Sequence, residues 1–129
     1  MGMPAAKQND QVLATDMHII LMPPAAVPTP LPHPFMGMLT GSLSGDVNIG
    51  GLPAAMVGAS ADNTPPHIPQ GGPFQKPPSN KGQVIMGSGT VFINGKPAAR
   101  QGDTATTCND PADLPAGTVV AAGTVFIGG

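Results

Sequence analysis

The chain has 129 residues, a formal net charge of −2, and charged side chains at only 9% of its positions. That balance gives no basic footprint for nucleic acid, and with no Trp or Tyr and only four Phe there is no platform for base stacking. No run of 18 apolar residues is present to cross a bilayer, no basic stretch followed by an apolar one opens the chain as a signal peptide would, and the single Cys108 excludes an internal disulfide.

Glycine (18) and proline (17) would fit a disordered chain if they followed no pattern. They do follow one. The chain opens on a corner, Gly2-Met3-Pro4-Ala5-Ala6, and runs into Gln11 to Met22, a stretch without Pro or Gly whose β-branched residues predict a strand. Residues 23–38 carry six prolines, Pro23, Pro24, Pro28, Pro30, Pro32 and Pro34, and read as a stiff, extended, polyproline-like surface loop without a regular ladder. The Met and Phe residues at 35–38 would tuck its end back onto the body.

Residues 44–61 hold Gly45-Asp46-Val47-Asn48-Ile49-Gly50-Gly51-Leu52-Pro53-Ala54-Ala55: a short strand, a glycine turn and a Pro-Ala-Ala corner. Residues 62–82 form a second Pro/Gly-rich excursion. Residues 83–108 carry the cleanest copy, Gly89-Thr90-Val91-Phe92-Ile93-Asn94-Gly95-Lys96-Pro97-Ala98-Ala99-Arg100. There Asn94-Gly95 predicts a tight turn, Pro97 stops the strand, and alternation puts Val91 and Ile93 on one face. After a short acidic connection at 109–118 the chain returns to strand at 119–129, with Gly123-Thr124-Val125-Phe126-Ile127-Gly128-Gly129. This last copy has a strand but no corner, and the corner at Gly2 has no strand. The chain therefore reads as three copies of one unit in a single domain, 1–129, cut open inside one copy so that Gly129 and Gly2 share a motif position. No helix of ordinary length is needed, and the expected fold class is all-β.

The repeats also organise the few residues capable of chemistry. His18 follows Gly2 at the same distance as His67 follows Gly51, and Cys108 falls in the corresponding region of the third unit with a shorter loop. Repetition should bring these three together about the pseudo-axis, and His33, held between Pro32 and Pro34, would supply a fourth ligand. Three imidazoles and one thiolate complete a tetrahedral shell for one structural zinc ion, which would pin an end too narrow to fill with side chains. Asp10, Asp62 and Asp103 each follow a corner closely and read as turn residues. A thiol-nucleophile constellation of Cys108 with a His and Asp103 or Asp110 has no local signature, and no phosphate-cradling glycine motif is present.

Pro97-Ala98-Ala99-Arg100, with Pro4-Ala5-Ala6-Lys7 and Pro53-Ala54-Ala55-Met56 as degenerate copies, resembles the PAAR-repeat proteins that tip bacterial contractile injection machines. The resemblance implies a cone with pseudo-threefold symmetry and long Pro/Gly-rich loops, its metal-pinned apex formed by His18, His33, His67 and Cys108. It implies that the base docks on a trimeric, valine-glycine-repeat (VgrG-like) spike of a type VI secretion system or a phage-tail-like particle. The expected role is structural, not enzymatic: a tip that sharpens the spike, helps puncture a target envelope through transient membrane contact, and helps attach effectors. Because the sequence stops at Gly129, cargo would bind non-covalently. The protein would be made in the bacterial cytoplasm and expelled without a signal peptide. A small zinc or thiol hydrolase and a free-standing β-repeat scaffold are the competing readings. Lys7 and Met56 in place of Arg imply that the Arg is not needed threefold.

Overall fold

A computed structural model describes residues 2–128, and Gly129, the shared motif position, lies outside them. No helix forms among the described residues; the elements are β1 (Met3–Pro4), β2 (Gln11–Met22), β3 (Val27–Gly41), β4 (Asn48–Ile49), β5 (Leu52–Pro53), β6 (Ser60–Asn63), β7 (Lys81–Val84), β8 (Phe92–Ile93), β9 (Lys96–Pro97), β10 (Thr104–Thr107), β11 (Leu114–Val120) and β12 (Phe126–Ile127). Six of them close an antiparallel barrel in the order β10-β11-β2-β3-β6-β7, and the other six form three separate two-stranded ladders, β1 with β12, β4 with β5 and β8 with β9.

The three ladders are equivalent. Ile49 pairs with Leu52, Ile93 with Lys96 and Ile127 with Met3, so the same motif positions face each other in each. Gly50-Gly51 and Asn94-Gly95 both have positive φ at the two central positions, the backbone that a two-residue hairpin turn of the right twist requires. The chain leaves the barrel along β3, β7 or β11, makes a ladder, and returns along β6, β10 or β2. Each outgoing strand pairs with its returning strand. The ladders thus gather at one end of the barrel and the connections β2–β3, β6–β7 and β10–β11 at the other.

The Pro-Ala-Ala corners meet on the axis between these ends. Ala6 N–H donates to the Ala99 carbonyl (2.9 Å), Ala99 N–H to Ala55 (3.1 Å) and Ala55 N–H to Ala6 (3.0 Å), a closed ring of three bonds. All three alanines are fully buried. On the ladder side, Ala5, Ala54 and Ala98 pack with Ile49, Ile93, Ile127 and Met56; on the barrel side Val12, Phe35, Leu39, Val84 and Val119 form the larger core. Alanine is needed because three backbones converge closely enough to hydrogen-bond, which leaves no volume for a longer side chain.

Three expectations are corrected. Residues 27–41 are not a surface loop but the long strand β3, in unbroken register with β2 from Met22↔Val27 to Gln11↔Met38. The reason lies in the spacing of the prolines. Met36 turns its N–H and carbonyl away from β2, to Asn63 Oδ1 (2.8 Å) and Thr64 N–H (3.0 Å). Pro28, Pro30, Pro32 and Pro34 share that parity, so every missing donor points outward and none is lost from the β2–β3 ladder. The connection at 109–118 likewise ends early, since β11 starts at Leu114. Finally, Val91 does not share the buried face of Ile93: Ile93 is 6% exposed and Val91 37%. The ladder strand begins only at Phe92, so the alternation does not extend back to Val91.

Candidate metal centre

The far end of the barrel collects two residues from the β2–β3 hairpin and one from each of the other two connections. His18 stands on β2 and His33 on β3, His67 lies in the β6–β7 connection, and Cys108 follows β10. All four are buried. On the paired strands, Val12, Asp16, His18 and Ile20 share the inward parity of β2, and His33, Phe35 and Leu39 that of β3. The three imidazoles are mutual neighbours, with ring centroids 4.8 Å apart for His18 and His67 and 5.5 Å from His33 to each of them.

Donor atoms converge closely for Asp16, His18, His67 and Cys108, whose ligating atoms all lie within 4.8 Å of one another. His33 is outside that tightest group, although its ring packs against it. Asp16 is the member that sequence reasoning missed. Its carboxylate, fully buried, accepts from Thr107 Oγ1 and Asn109 Nδ2 (3.4 Å) on Oδ1, and from His67 Nε2 (2.8 Å) and Cys108 Sγ (3.4 Å) on Oδ2. A charged residue on the inward parity of a strand otherwise reading Val12, Ala14, His18, Ile20 was the available signal.

Two imidazoles are held from outside through Nδ1, and the third has a carboxylate near that atom without a hydrogen bond to it. His33 Nδ1 meets the Leu31 carbonyl at 2.9 Å, His67 Nδ1 meets Asn63 Nδ2 at 3.2 Å, and His18 Nδ1 stands 3.6 Å from Asp110 Oδ2. Asp110 is itself fixed by the Ile19 N–H (2.9 Å). Such outer partners set ring orientation and leave the opposite nitrogen free for a ligand. His18 Nε2 accordingly stands 3.6 Å from Cys108 Sγ. Among the described residues, the buried polar side-chain atoms left without a hydrogen bond are His18 Nδ1 and His33 Nε2.

Burial lowers the pKa of His18, with the neighbouring His67 adding to the effect, so this imidazole is held neutral as a ligand must be. Burial, with the Asp16 carboxylate next, pushes the Cys108 thiol up to about 11. A thiolate there calls for a positive charge beside it. The donor chemistry of imidazole nitrogen, thiol sulfur and carboxylate oxygen fits a transition-metal ion of the zinc type, and the orphaned His33 Nε2 fits it too. A cleft of about 260 Å³ lies on one side of the cluster, against His33, Asn63 and His67, and one of about 60 Å³ on the other, against His18, Cys108 and Asp110.

Asp103 and Asp10 lie away from this centre, where they bond the backbone N–H groups of Arg100 (2.7 Å) and Lys7 (2.9 Å). Asp62 makes an exposed pair with Lys81 at 2.8 Å. The hydrolase constellation thus has no Asp103 beside Cys108, whereas Asp110 does approach His18.

Residues 75–129 match the family model of the PAAR motif. That span covers the strands from β7 onward and Cys108, and leaves all three histidines outside it. No curated protein matches the chain.

Proposed function

We propose that this chain, whose residues 75–129 match the PAAR-motif family model, is the structural tip of a contractile injection machine, seated on a trimeric VgrG-like spike through the end that bears the three ladders. The observation that carries this reading is the threefold array at that end. Val47, Val91 and Val125 occupy equivalent positions and are 38%, 37% and 43% exposed, and Phe92 and Phe126 are 58% and 59% exposed. An apolar surface of this kind is costly in water unless a partner covers it, and three equivalent short ladders offer a trimer one contact per chain. At the opposite end the buried cluster of Asp16, His18, His33, His67 and Cys108 is built around one structural metal ion, zinc by its donor set. That ion ties the three barrel connections together where few apolar side chains are available.

The chain then acts mechanically as one domain of 1–129, in which β1 and β12 make up the third unit. A narrow, metal-tied end concentrates the thrust of a contracting sheath on a small area of target envelope, touching the membrane only in passing. Effectors attach to the tip. The protein is made in the bacterial cytoplasm and leaves with the spike. None of this requires turnover of a substrate.

The test is to mix the purified chain with a trimeric VgrG-like spike and determine the mass of the complex. One copy per trimer is expected, and Phe92→Asp with Phe126→Asp should abolish the complex while leaving the melting temperature within a few degrees. Three copies per trimer, or a complex indifferent to these two substitutions, would sink the proposal.

A further inference from the structure

We infer that the outer wall of β11, β2 and β3 is the surface on which the tip carries its cargo, and that what lies there is the uncharged apolar face of an amphipathic helix from a partner protein. This rests on the reading that effectors attach to the tip.

The barrel has two unlike walls. On β6, β7 and β10 the outward residues are Ser60, Asp62, Lys81, Gln83, Thr104 and Thr106, and Lys81 pairs with Asp62 at 2.8 Å. On β11, β2 and β3 the outward parity reads Val120, Leu13, Met17, Pro34, Met36 and Met38, separated by the uncharged Gln11, Thr15 and Thr118. Leu13 pairs with both Thr118 and Met36, and Gln11 with both Val120 and Met38, so these side chains form one continuous surface. The ionisable side chains of the three strands, Asp16, His18 and His33, are all buried. Met36 is 51% exposed and Met38 46%, because the barrel interior is already filled by Val12, Phe35 and Val119 from the same strands. At Pro34 and Met36 the wall runs into the cleft of about 260 Å³, which Ile68, 70% exposed, also lines. An apolar patch on one wall of a pseudo-threefold body marks a contact made once per molecule.

Charge, backbone and size choose the occupant. A partner face that is equally uncharged buries no ion against this wall, whereas a charged face would be stripped of water with nothing to pair with. The strands of the wall already have their lateral neighbours, β11 and β3 beside β2 and β6 beside β3. An added strand would therefore meet side chains only and leave its own N–H and carbonyl groups unpaired, whereas a helix closes its own backbone bonds. From Pro34 to Met38 the wall is ~13 Å long, and three strands make it ~10 Å across. A helix is ~10 Å wide and covers that length with about nine residues. Such a patch offers on the order of a few hundred Å² of accessible surface, below the ~800 Å² that each partner gives to a stable interface. That size is too small for a second copy of this chain and suits a contact that can be released. The unbranched methionines adapt to the side chains of the helix, and the cleft beside Met36 takes one apolar anchor.

The experiment titrates the full chain with a fluorescent amphipathic peptide of about five helical turns, Leu on one face and Lys and Glu on the other. It follows anisotropy and the methionine methyl signals in NMR. The methyls of Met17, Met36 and Met38 should shift, and those of Met3 at the ladder end and Met86, both also exposed, should not. Met36→Glu should weaken binding about tenfold or more, and Gln83→Glu on the polar wall should leave it unchanged. A scrambled peptide of the same composition should not bind. Shifts at Met3 or Met86 instead, binding indifferent to Met36→Glu, or a peptide-free dimer that Met36→Glu dissolves would each overturn the assignment. The wild-type methyl shifts decide the matter even if a variant fails to fold. A chain that joins the spike trimer but binds no peptide would overturn this inference and leave the tip reading in place. One that binds the peptide on this wall but no spike would overturn the tip reading alone.

Discussion

Asp103 Oδ2 accepts both the backbone N–H of Arg100 (2.7 Å) and its Nε (3.2 Å), while Oδ1 takes an NH2 group of the same guanidinium at 3.0 Å. The fourth letter of the motif is thus folded back on its own turn, and the hydrogen bond to Asp103 raises the Arg100 pKa further above its ordinary value. Lys7 and Asp10 repeat the arrangement in a second unit. In the remaining unit both partners change together: Met56 stands for the cation and Ala59 for the carboxylate, and both are buried. The cation and the carboxylate are thus kept together in two units and lost together in the third.

A double-mutant cycle should show this coupling. Asp103→Ala leaves the Arg100 N–H unpaired in a part-buried turn and should cost about 1–2 kcal/mol. Arg100→Met alone strands a buried carboxylate at a similar cost. The double variant, which copies the Met56–Ala59 unit, should cost less than the sum by at least ~0.5 kcal/mol. Strict additivity in urea denaturation would mean that the two side chains act independently.

The alanine ring makes a steric prediction. With Ala6, Ala55 and Ala99 fully buried and their backbones bonded in a closed cycle, Ala99→Leu has nowhere to go. It should destabilise the chain by about 1–3 kcal/mol through overpacking, whereas Ala99→Gly should cost about 0.5–1 kcal/mol through backbone entropy alone. Leu tolerated as well as Gly, judged by denaturation midpoint, would show that the axis has free volume.

The prolines of β3 make a prediction about association. Among the described residues no strand pairs with the outer edge of Val27 to Pro34, and the outward donor is missing at Pro28, Pro30, Pro32 and Pro34. Such an edge cannot template a second chain. Replacing the four prolines by Thr should leave the β2–β3 ladder intact and restore four outward N–H groups. The variant should then self-associate at concentrations where the wild type does not, as light scattering would register. A variant that stays in the wild-type state would show that something other than the prolines guards the edge.

These relationships also separate what could be read in the chain from what could not. The three units were legible because each repeats glycine, Val-x-Ile and Pro-Ala-Ala in phase, and the structure pairs Ile49, Ile93 and Ile127 at matching positions. His18, His67 and Cys108 were legible for the same reason, since equal offsets from the corner carry the two histidines, and a shorter loop carries Cys108, to the same end of the barrel. β3 was misread because the composition of 23–38 outweighed its period: four prolines at alternate positions are compatible with a strand that has one free edge. Asp16 was missed because it has no counterpart in the other units, so repetition could not reveal it. Only its parity on β2 could, and that required knowing which face of β2 was buried.

Removing the metal should loosen one end of the molecule and spare the other. The β6–β7 and β10–β11 connections have no strand across residues 64–80 and 108–113; they are anchored through the polar network around His67, Cys108, Asn109 and Asp110 and, at Phe74, by a short backbone bridge to Ile20 of β2. The ladder end, by contrast, is tied by the alanine ring and its own apolar cluster. An ion at about a hundredfold above its Kd contributes about 2.7 kcal/mol, which for a domain of this size shifts the melting temperature on the order of 10 °C. Chelator-treated protein should therefore melt on the order of 10 °C lower. Its amide exchange should rise first at residues 64–80 and 108–113 and stay slow at Ile93 and Ala99. Re-addition of zinc should restore both readouts. A uniform rise in exchange along the whole chain would mean that the ion holds the entire fold together and not one end of the barrel, and no change at all would mean that the protein connections already close that end by themselves.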